Sequence, residues 1–215
     1  MATQNLVAPI FFDLDGTLTD PKAGIVGSIQ YAIEHLGLEV PVEDELTWCI
    51  GPPLMASLES LVGQELAPQA LLAYRQRYSD IGWQENELYP GIAGMLRRLQ
   101  ALNRPMYVAT SKPRVFADRI IRHFELDRYF TVVFGSELDG TRSDKAELLR
   151  YALSEVAPAS QPVMVGDRKF DVIGARANQM KFVGVSYGYG SPRELQTAGA
   201  DLVVDNTEML FSVLV

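Results

Sequence analysis

Six short apolar runs recur along the chain: Val7 to Leu14, Pro105 to Thr110, Thr131 to Gly135, Pro162 to Gly166, Phe182 to Ser186 and Asp201 to Val204. Short apolar runs of this kind that end at turn residues are the mark of buried strands. Between them the spacing changes. Met95, Leu96, Leu99 and Leu102, then Phe116, Ile120, Ile121 and Phe124, then Leu148, Leu149 and Ala152 each fall on one helical face. Alternating strands and helices predict an α/β fold, a parallel sheet covered by helices on both faces. Such sheets bind ligands outside the carboxyl ends of their strands, where the strand order reverses.

One interval breaks the alternation. From about Pro21 to Trp83 there are helix signals and no strand: Ile25, Ile29, Ile33 and Leu36 share a face, Gly37 is placed to cap that helix, and Leu71, Leu72, Tyr74 and Tyr78 suggest another. The expected organisation is a core of residues 1–20 and 84–215 with an all-helical insert of residues 21–83 after the first strand. The stretch "ELYPGI", Glu87 to Ile92, is read as the return linker.

Composition narrows the possibilities. A chain of 215 residues, 47% hydrophobic and 21% charged, can bury a substantial core. Its net charge of -8 provides no overall field toward nucleic acid or an anionic membrane surface, so an anionic substrate must be held by local groups. Cys49 is the only cysteine, which excludes an internal disulfide and a cysteine-built zinc site. No run approaches the roughly 18 apolar residues of a membrane span, and the first residues carry no basic, apolar leader pattern. The expectation is a cytoplasmic monomer or weak dimer that binds neither membrane nor nucleic acid polymer.

The chemistry concentrates at two strand ends. "PIFFDLDGTLTD" runs an apolar strand into Asp13 and Asp15, read as its last residues before Gly16. "VMVGDRKFD" runs a second strand into Asp167, and Asp171 lies about one helical turn further on if a helix begins just after Asp167. Paired carboxylates can serve as general acid and base, or they can hold a hard cation such as Mg²⁺. Four at neighbouring strand ends would repel strongly without a divalent cation.

"DLDGT" (Asp13 to Thr17), "VATS" (Val108 to Ser111), Lys145 in "RSDKAELL" and "GDRKFD" (Gly166 to Asp171) together resemble the four ordered motifs of the haloacid dehalogenase-like hydrolase superfamily. Their order and separation match over the whole chain, and the insert is similar to that superfamily's helical cap on a Rossmann-like core. "IGPPL", "YPGI" and "YGYGSPRELQTAGAD" are similar to its phosphoglycolate phosphatase and bacterial 5'-nucleotidase-like branch. The resemblance implies an Mg²⁺-dependent phosphate monoester hydrolase. Asp13 would be the nucleophile that forms an aspartyl-phosphate, and Asp15 the general acid and base that lends its backbone carbonyl to the metal. Asp167 and Asp171 would complete the metal site. Thr110, Ser111 and Lys145 would hold the phosphoryl oxygens.

The motif lysine is taken as Lys145 rather than Lys112, because Lys145 opens a helix at the expected distance before Asp167. Ser111 departs from the asparagine common at that position. Arg142, Arg168 and Lys169 are read as solvated surface charges, His35 and His123 as helix-surface or core histidines, and Ser191 as the end of a glycine-rich loop before a helix starting at Pro192. In the insert, Arg75 and Tyr78 could touch the leaving group, although Tyr74 and Tyr78 are read equally as insert core. Haloacid dehalogenation is disfavoured by the presence of Asp15. A phosphomutase, a sugar phosphatase and a catalytically silent phosphate-binding protein stay open. For substrate, an insert with only Lys22, Arg75 and Arg77 against eight acids suits a neutral leaving group, and its tyrosines and Trp48 could stack on a base. The reading therefore leans to nucleoside 5'-monophosphates over phosphoglycolate.

Overall fold

The computed structural model describes residues 8–215, so the expected start of the first strand at Val7 lies outside the described residues. Along the chain, β1 (Ile10–Phe12) and β2 (Thr19–Asp20) lead into α1 (Lys22–His35), a 3-10 stretch (Glu43–Cys49), α2 (Leu54–Val62), α3 (Ala67–Arg77) and a π-helical turn (Tyr78–Gly82). The chain returns through β3 (Glu87–Leu88) and α4 (Ile92–Ala101). Then follow β4 (Met106–Pro113), α5 (Arg114–His123), β5 (Val133–Ser136), α6 (Lys145–Val156), β6 (Val163–Gly166), α7 (Lys169–Ala177), β7 (Lys181–Val185), α8 (Pro192–Ala198), β8 (Leu202–Val204) and α9 (Thr207–Leu214).

Six strands form one parallel sheet in the order β5-β4-β1-β6-β7-β8. The order reverses between β1 and β6, so the crevice expected of such a sheet opens where Asp13 and Asp167 follow their strands. The pleat of β1 divides the core. Ile10 and Phe12 pack with Leu96 and Leu99 of α4, Ile120 of α5 and Leu210 of α9. Phe11, on the other face, packs with Leu148 of α6, Val172 of α7 and Leu195 of α8.

The strand ends differ from expectation by a few residues. β1 stops at Phe12, so Asp13 and Asp15 lie past the strand in the turn, where their side chains need not follow its pleat. The predicted pairing pattern also omits a feature: β2 and β3 form a two-stranded antiparallel ribbon, with Thr19 opposite Leu88 and Asp20 opposite Glu87. Two residues per strand are too short for a period-2 signal. This ribbon carries both connections between the sheet and the helical segment. Gly37, at φ +70°, follows the last turn of α1 as its capping role requires.

The helical segment has its own apolar cluster, built from Ile25, Ile29 and Ile33 of α1, Leu58 of α2, and Ala70 and Ala73 of α3. Phe116 of α5 joins that cluster from the sheet side. Among the described residues no helix is long and apolar enough to cross a membrane.

Candidate active site

The turn after β1 is wound tightly: the Leu14 carbonyl accepts hydrogen bonds from the N–H groups of Thr17, Leu18 and Thr19 at 3.2, 2.9 and 3.0 Å. Gly16 makes it possible, with φ +83° and no room for a side chain, since a Cβ there would lie 2.2 Å from Asp167 Oδ2. The two acid-bearing loops are thus in direct contact. Asp167, fully buried, accepts the Tyr189 N–H at 2.8 Å and the Thr17 hydroxyl at 3.4 Å. Gly190 of the same Tyr-Gly-Tyr-Gly loop approaches so closely that a Cβ would fall 1.8 Å from the Asp167 carbonyl.

Asp171 lies in the first turn of α7, where its Oδ2 accepts the Arg168 N–H at 3.1 Å. Lys145 is the first residue of α6, whose start is fixed by Asp144 accepting the Glu147 N–H at 2.9 Å. From there its ammonium reaches Asp13 Oδ1 at 2.8 Å, Asp171 Oδ1 at 2.8 Å and the Ala109 carbonyl at 3.0 Å. It donates hydrogen bonds to Asp13 and Ala109 and forms an ion pair with Asp171.

Asp13, Asp167 and Asp171 each offer a carboxylate oxygen within 4.8 Å of the others, and all three residues are buried. Burial raises the Asp167 carboxyl far above the usual range, and the charges of Asp171 and Asp13 push it further in the same direction. Burial likewise raises Asp171, to about 6, against the pull of Lys145. Burial alone would lower the Lys145 ammonium, but Asp13 and Asp171 hold it above its ordinary value. Counting Asp15 and its partner Lys112, four carboxylates face two ammonium groups. Two formal negative charges are left over in a buried site. An all-oxygen donor set with that deficit fits a hard divalent cation.

Asp15 stands slightly apart, and its side chain does not join the three-carboxylate group. Its Oδ2 meets Lys112 at 2.6 Å, while its Oδ1 is buried without a hydrogen-bond partner. Burial raises its carboxyl above the normal value, opposed by Lys112. Thr110 is buried and turns its Oγ1 to accept the Lys112 N–H at 3.2 Å; the Ser111 carbonyl accepts the Ser136 hydroxyl at 2.8 Å. Asp13, Asp15, Thr110, Ser111, Lys145, Asp171, Arg75 and Tyr78 all line one cavity of about 440 Å³ between the sheet and the helical segment, and Asp167 sits beneath it.

A family model described as haloacid dehalogenase-like hydrolase matches residues 10–185, a span that includes all four aspartates, Thr110, Ser111 and Lys145. The chain belongs to the haloacid dehalogenase-like hydrolases. It is 46% identical over 190 residues to a 5'-nucleotidase of Pseudomonas aeruginosa, covering 87% of this chain and 86% of that one. It is 43% identical over 182 residues to the tyrosine-protein kinase PtkA of Mycobacterium tuberculosis, covering 84% of this chain but 62% of PtkA's length. A phosphoglycolate phosphatase of Photobacterium profundum is 28% identical over 216 residues, with 95% and 94% covered. Among solved structures, a predicted phosphatase from Clostridium acetobutylicum superimposes with a TM-score of 0.93 at 39% identity, covering 97% of this chain and 98% of that one.

Three side chains of this hydrolase have more work than their sequence context suggested. Arg168 is not a solvated surface charge: it pairs with Glu194 at 3.0 Å and donates to the Ile50 carbonyl of the helical segment. Lys112 is buried between Asp15 and the ring of Tyr78, 4.9 Å from the ring centre. Tyr189 ties Asp167 to the ribbon, because its hydroxyl also bonds Asp20. No local pattern announces these contacts, which join residues far apart in the chain. Ser191 caps α8 as expected, accepting the Glu194 N–H at 3.0 Å.

The expected base-stacking aromatics are otherwise engaged. Tyr74 and Tyr78 stack on each other at 5.3 Å, and Tyr78 meets the edge of Phe116 at 5.1 Å. Trp48 does not line the cavity.

Proposed function

We propose that this hydrolase is an Mg²⁺-dependent phosphatase that cleaves phosphate monoesters through an aspartyl-phosphate on Asp13, with nucleoside 5'-monophosphates as its substrates. The observation that carries the reading is the group of Asp13, Asp167 and Asp171 at the reversal of strand order, with Lys145 between Asp13 and Asp171. In this reading residues 21–83 act as a cap over residues 84–215 and the first strand.

Lys145 holds Oδ1 of Asp13, which leaves Oδ2 as the attacking atom. As the new bond from Oδ2 to phosphorus forms, the bond from phosphorus to the ester oxygen breaks. Asp15, whose carboxyl burial raises above its ordinary value, would enter this step protonated and give its proton to the departing alcohol. A water then attacks the phosphorus of the aspartyl-phosphate and gives its proton to the Asp15 carboxylate. The bond between phosphorus and Asp13 breaks and inorganic phosphate leaves. Lys145, the Thr110 hydroxyl and the Ser111 N–H would meet the charge on the phosphoryl oxygens. Mg²⁺ held by Asp13, Asp167, Asp171 and the Asp15 carbonyl would supply neutralising charge for a dianion entering a negative site.

The nucleotide preference is supported by the 46% identity to a protein named 5'-nucleotidase and by the state of the cavity's cations. Lys112, Lys145, Arg75 and Arg168 line the cavity, and each is already bonded to a carboxylate or a carbonyl oxygen. A leaving group that carries its own carboxylate, such as glycolate, finds no uncommitted cation there. The test is a panel of monoesters assayed with Mg²⁺ and with chelator. Mg²⁺-dependent turnover with nucleotides ahead of phosphoglycolate is expected. Full activity in chelator would overturn the metal-dependent mechanism. A tenfold preference for phosphoglycolate would overturn the substrate assignment.

A further inference from the structure

The leaving group must occupy the cavity, and the apolar side chains that line it fall into two kinds. Most of its apolar residues, such as Leu71, Tyr74 and Phe116, are also members of a hydrophobic cluster. Met55, Leu138 and Phe170 line the same cavity but belong to no hydrophobic cluster among the described residues. Of these only Phe170 is aromatic. Its ring has no aromatic neighbour among the described contacts, and the cations beside it in sequence, Lys169 and Arg168, stand 5.4 and 5.9 Å from its centre. Those separations are near the outer limit of a cation–π contact.

The ring is held in place from below and beside. Phe170 is the second residue of α7, immediately before Asp171, whose carboxylate is fixed by Lys145 and the Arg168 N–H. Arg168 is held by Glu194 and reaches the carbonyl of Ile50, and Gly51 packs against its side chain so closely that a Cβ would lie 2.8 Å from Cγ. The wall bearing Phe170 is therefore braced on both sides of the ring by contacts of Arg168 and Asp171. An aromatic ring that lines the cavity, belongs to no hydrophobic cluster among the described residues and stands one residue before Asp171 suits a flat group.

Resting on the phosphatase reading above, we propose that Phe170 is a specificity-determining residue whose ring stacks on the nucleobase of a nucleoside 5'-monophosphate. A cavity of about 440 Å³ is far larger than a phosphoryl group needs and lies in the range that holds drug-sized ligands. Sugar hydroxyls alone would leave this apolar wall wet.

The experiment compares adenosine 5'-monophosphate with ribose 5-phosphate, which lacks the base, in the wild-type protein and in Phe170→Ala, Phe170→Leu and Phe170→Tyr. The reading is the ratio of kcat/KM for the two esters, so any general disturbance of α7 cancels. Base stacking predicts a ratio lowered about tenfold in the Ala and Leu variants, mainly through KM for the nucleotide, and retained in Tyr. A ratio in Ala and Leu equal to the wild-type value overturns the assignment of Phe170 while leaving nucleotide hydrolysis intact. A wild-type protein that cleaves ribose 5-phosphate at least as well as the nucleotide overturns base recognition altogether and leaves the phosphatase chemistry standing. Failure to cleave any monoester with Mg²⁺ would instead defeat the proposed function.

Discussion

The floor and the wall of the cavity are built by opposite means. On the floor, buried charges are pinned one to another: Lys145 is hydrogen-bonded to Asp13 and the Ala109 carbonyl and paired with Asp171, and Asp167 is fixed by Tyr189 and Thr17. On the wall, apolar side chains of the helical segment and of α7 line the cavity, and two arginines donate to carbonyl oxygens, Arg75 to Leu138 and Arg168 to Ile50. A buried charge network tolerates little change, because removing one partner strands another at a cost of about 3–5 kcal/mol. A wall of apolar contacts can change shape one side chain at a time. In the proposed mechanism the floor would fix the reaction and the wall would select what is delivered to it.

Substitutions on the two sides should separate sharply. Asp13→Asn removes the nucleophile and should lower kcat on every ester by on the order of 10⁴ or more. Lys145→Met should follow at roughly 10²–10³, with loss of thermal stability, since Asp13 and Asp171 lose their shared counter-charge. Asp15→Asn should divide substrates by leaving group: alkyl phosphates should lose about 10²–10⁴ while p-nitrophenyl phosphate loses far less. Equal losses on both would break the assigned division between Asp13 and Asp15.

Acidity offers a smaller test of the floor. Burial lifts Asp171 to about 6 in the metal-free protein, so the folded state keeps a proton that the unfolded chain releases near the ordinary carboxyl value. That contribution is fully present below the unfolded value and is lost as pH rises through the folded one. In chelator, Tm should fall between about pH 4 and pH 7, by an amount corresponding to on the order of 3 kcal/mol. Mg²⁺ should raise Tm more at the higher pH. The opposite slope would mean that Asp171 is ionised and stabilising without metal. On the wall, Arg75→Ala removes one bond to a carbonyl and should change KM by less than about tenfold with kcat held.

The sequence discloses the floor more fully than the wall for the same reason. Asp13, Asp15, Asp167 and Asp171 follow apolar runs at fixed short spacing, so local pattern alone points to them, whereas Lys145 is reached only through the resemblance of the four motifs. The alternation of runs also predicts the parallel sheet. Contacts such as Lys112 to Asp15, Arg168 to Ile50 and Tyr189 to Asp20 depend on how separate elements meet, and no periodicity encodes them. The misplaced aromatics follow the same logic. Tyr74 and Tyr78 lie four residues apart on one helical stretch and satisfy each other, whereas Phe170, hidden inside an acid motif, is left facing the cavity.

The central claim is that the floor carries out phosphoryl transfer through Asp13 whatever the wall admits. Its most direct test is to quench turnover in acid, reduce with borohydride, and locate the modified residue by peptide mass spectrometry in both the wild-type protein and Phe170→Ala. The account predicts Asp13 converted to homoserine in both proteins and no modification in Asp13→Asn. Steady turnover with Asp13 unmodified, or a label on another residue, would contradict it.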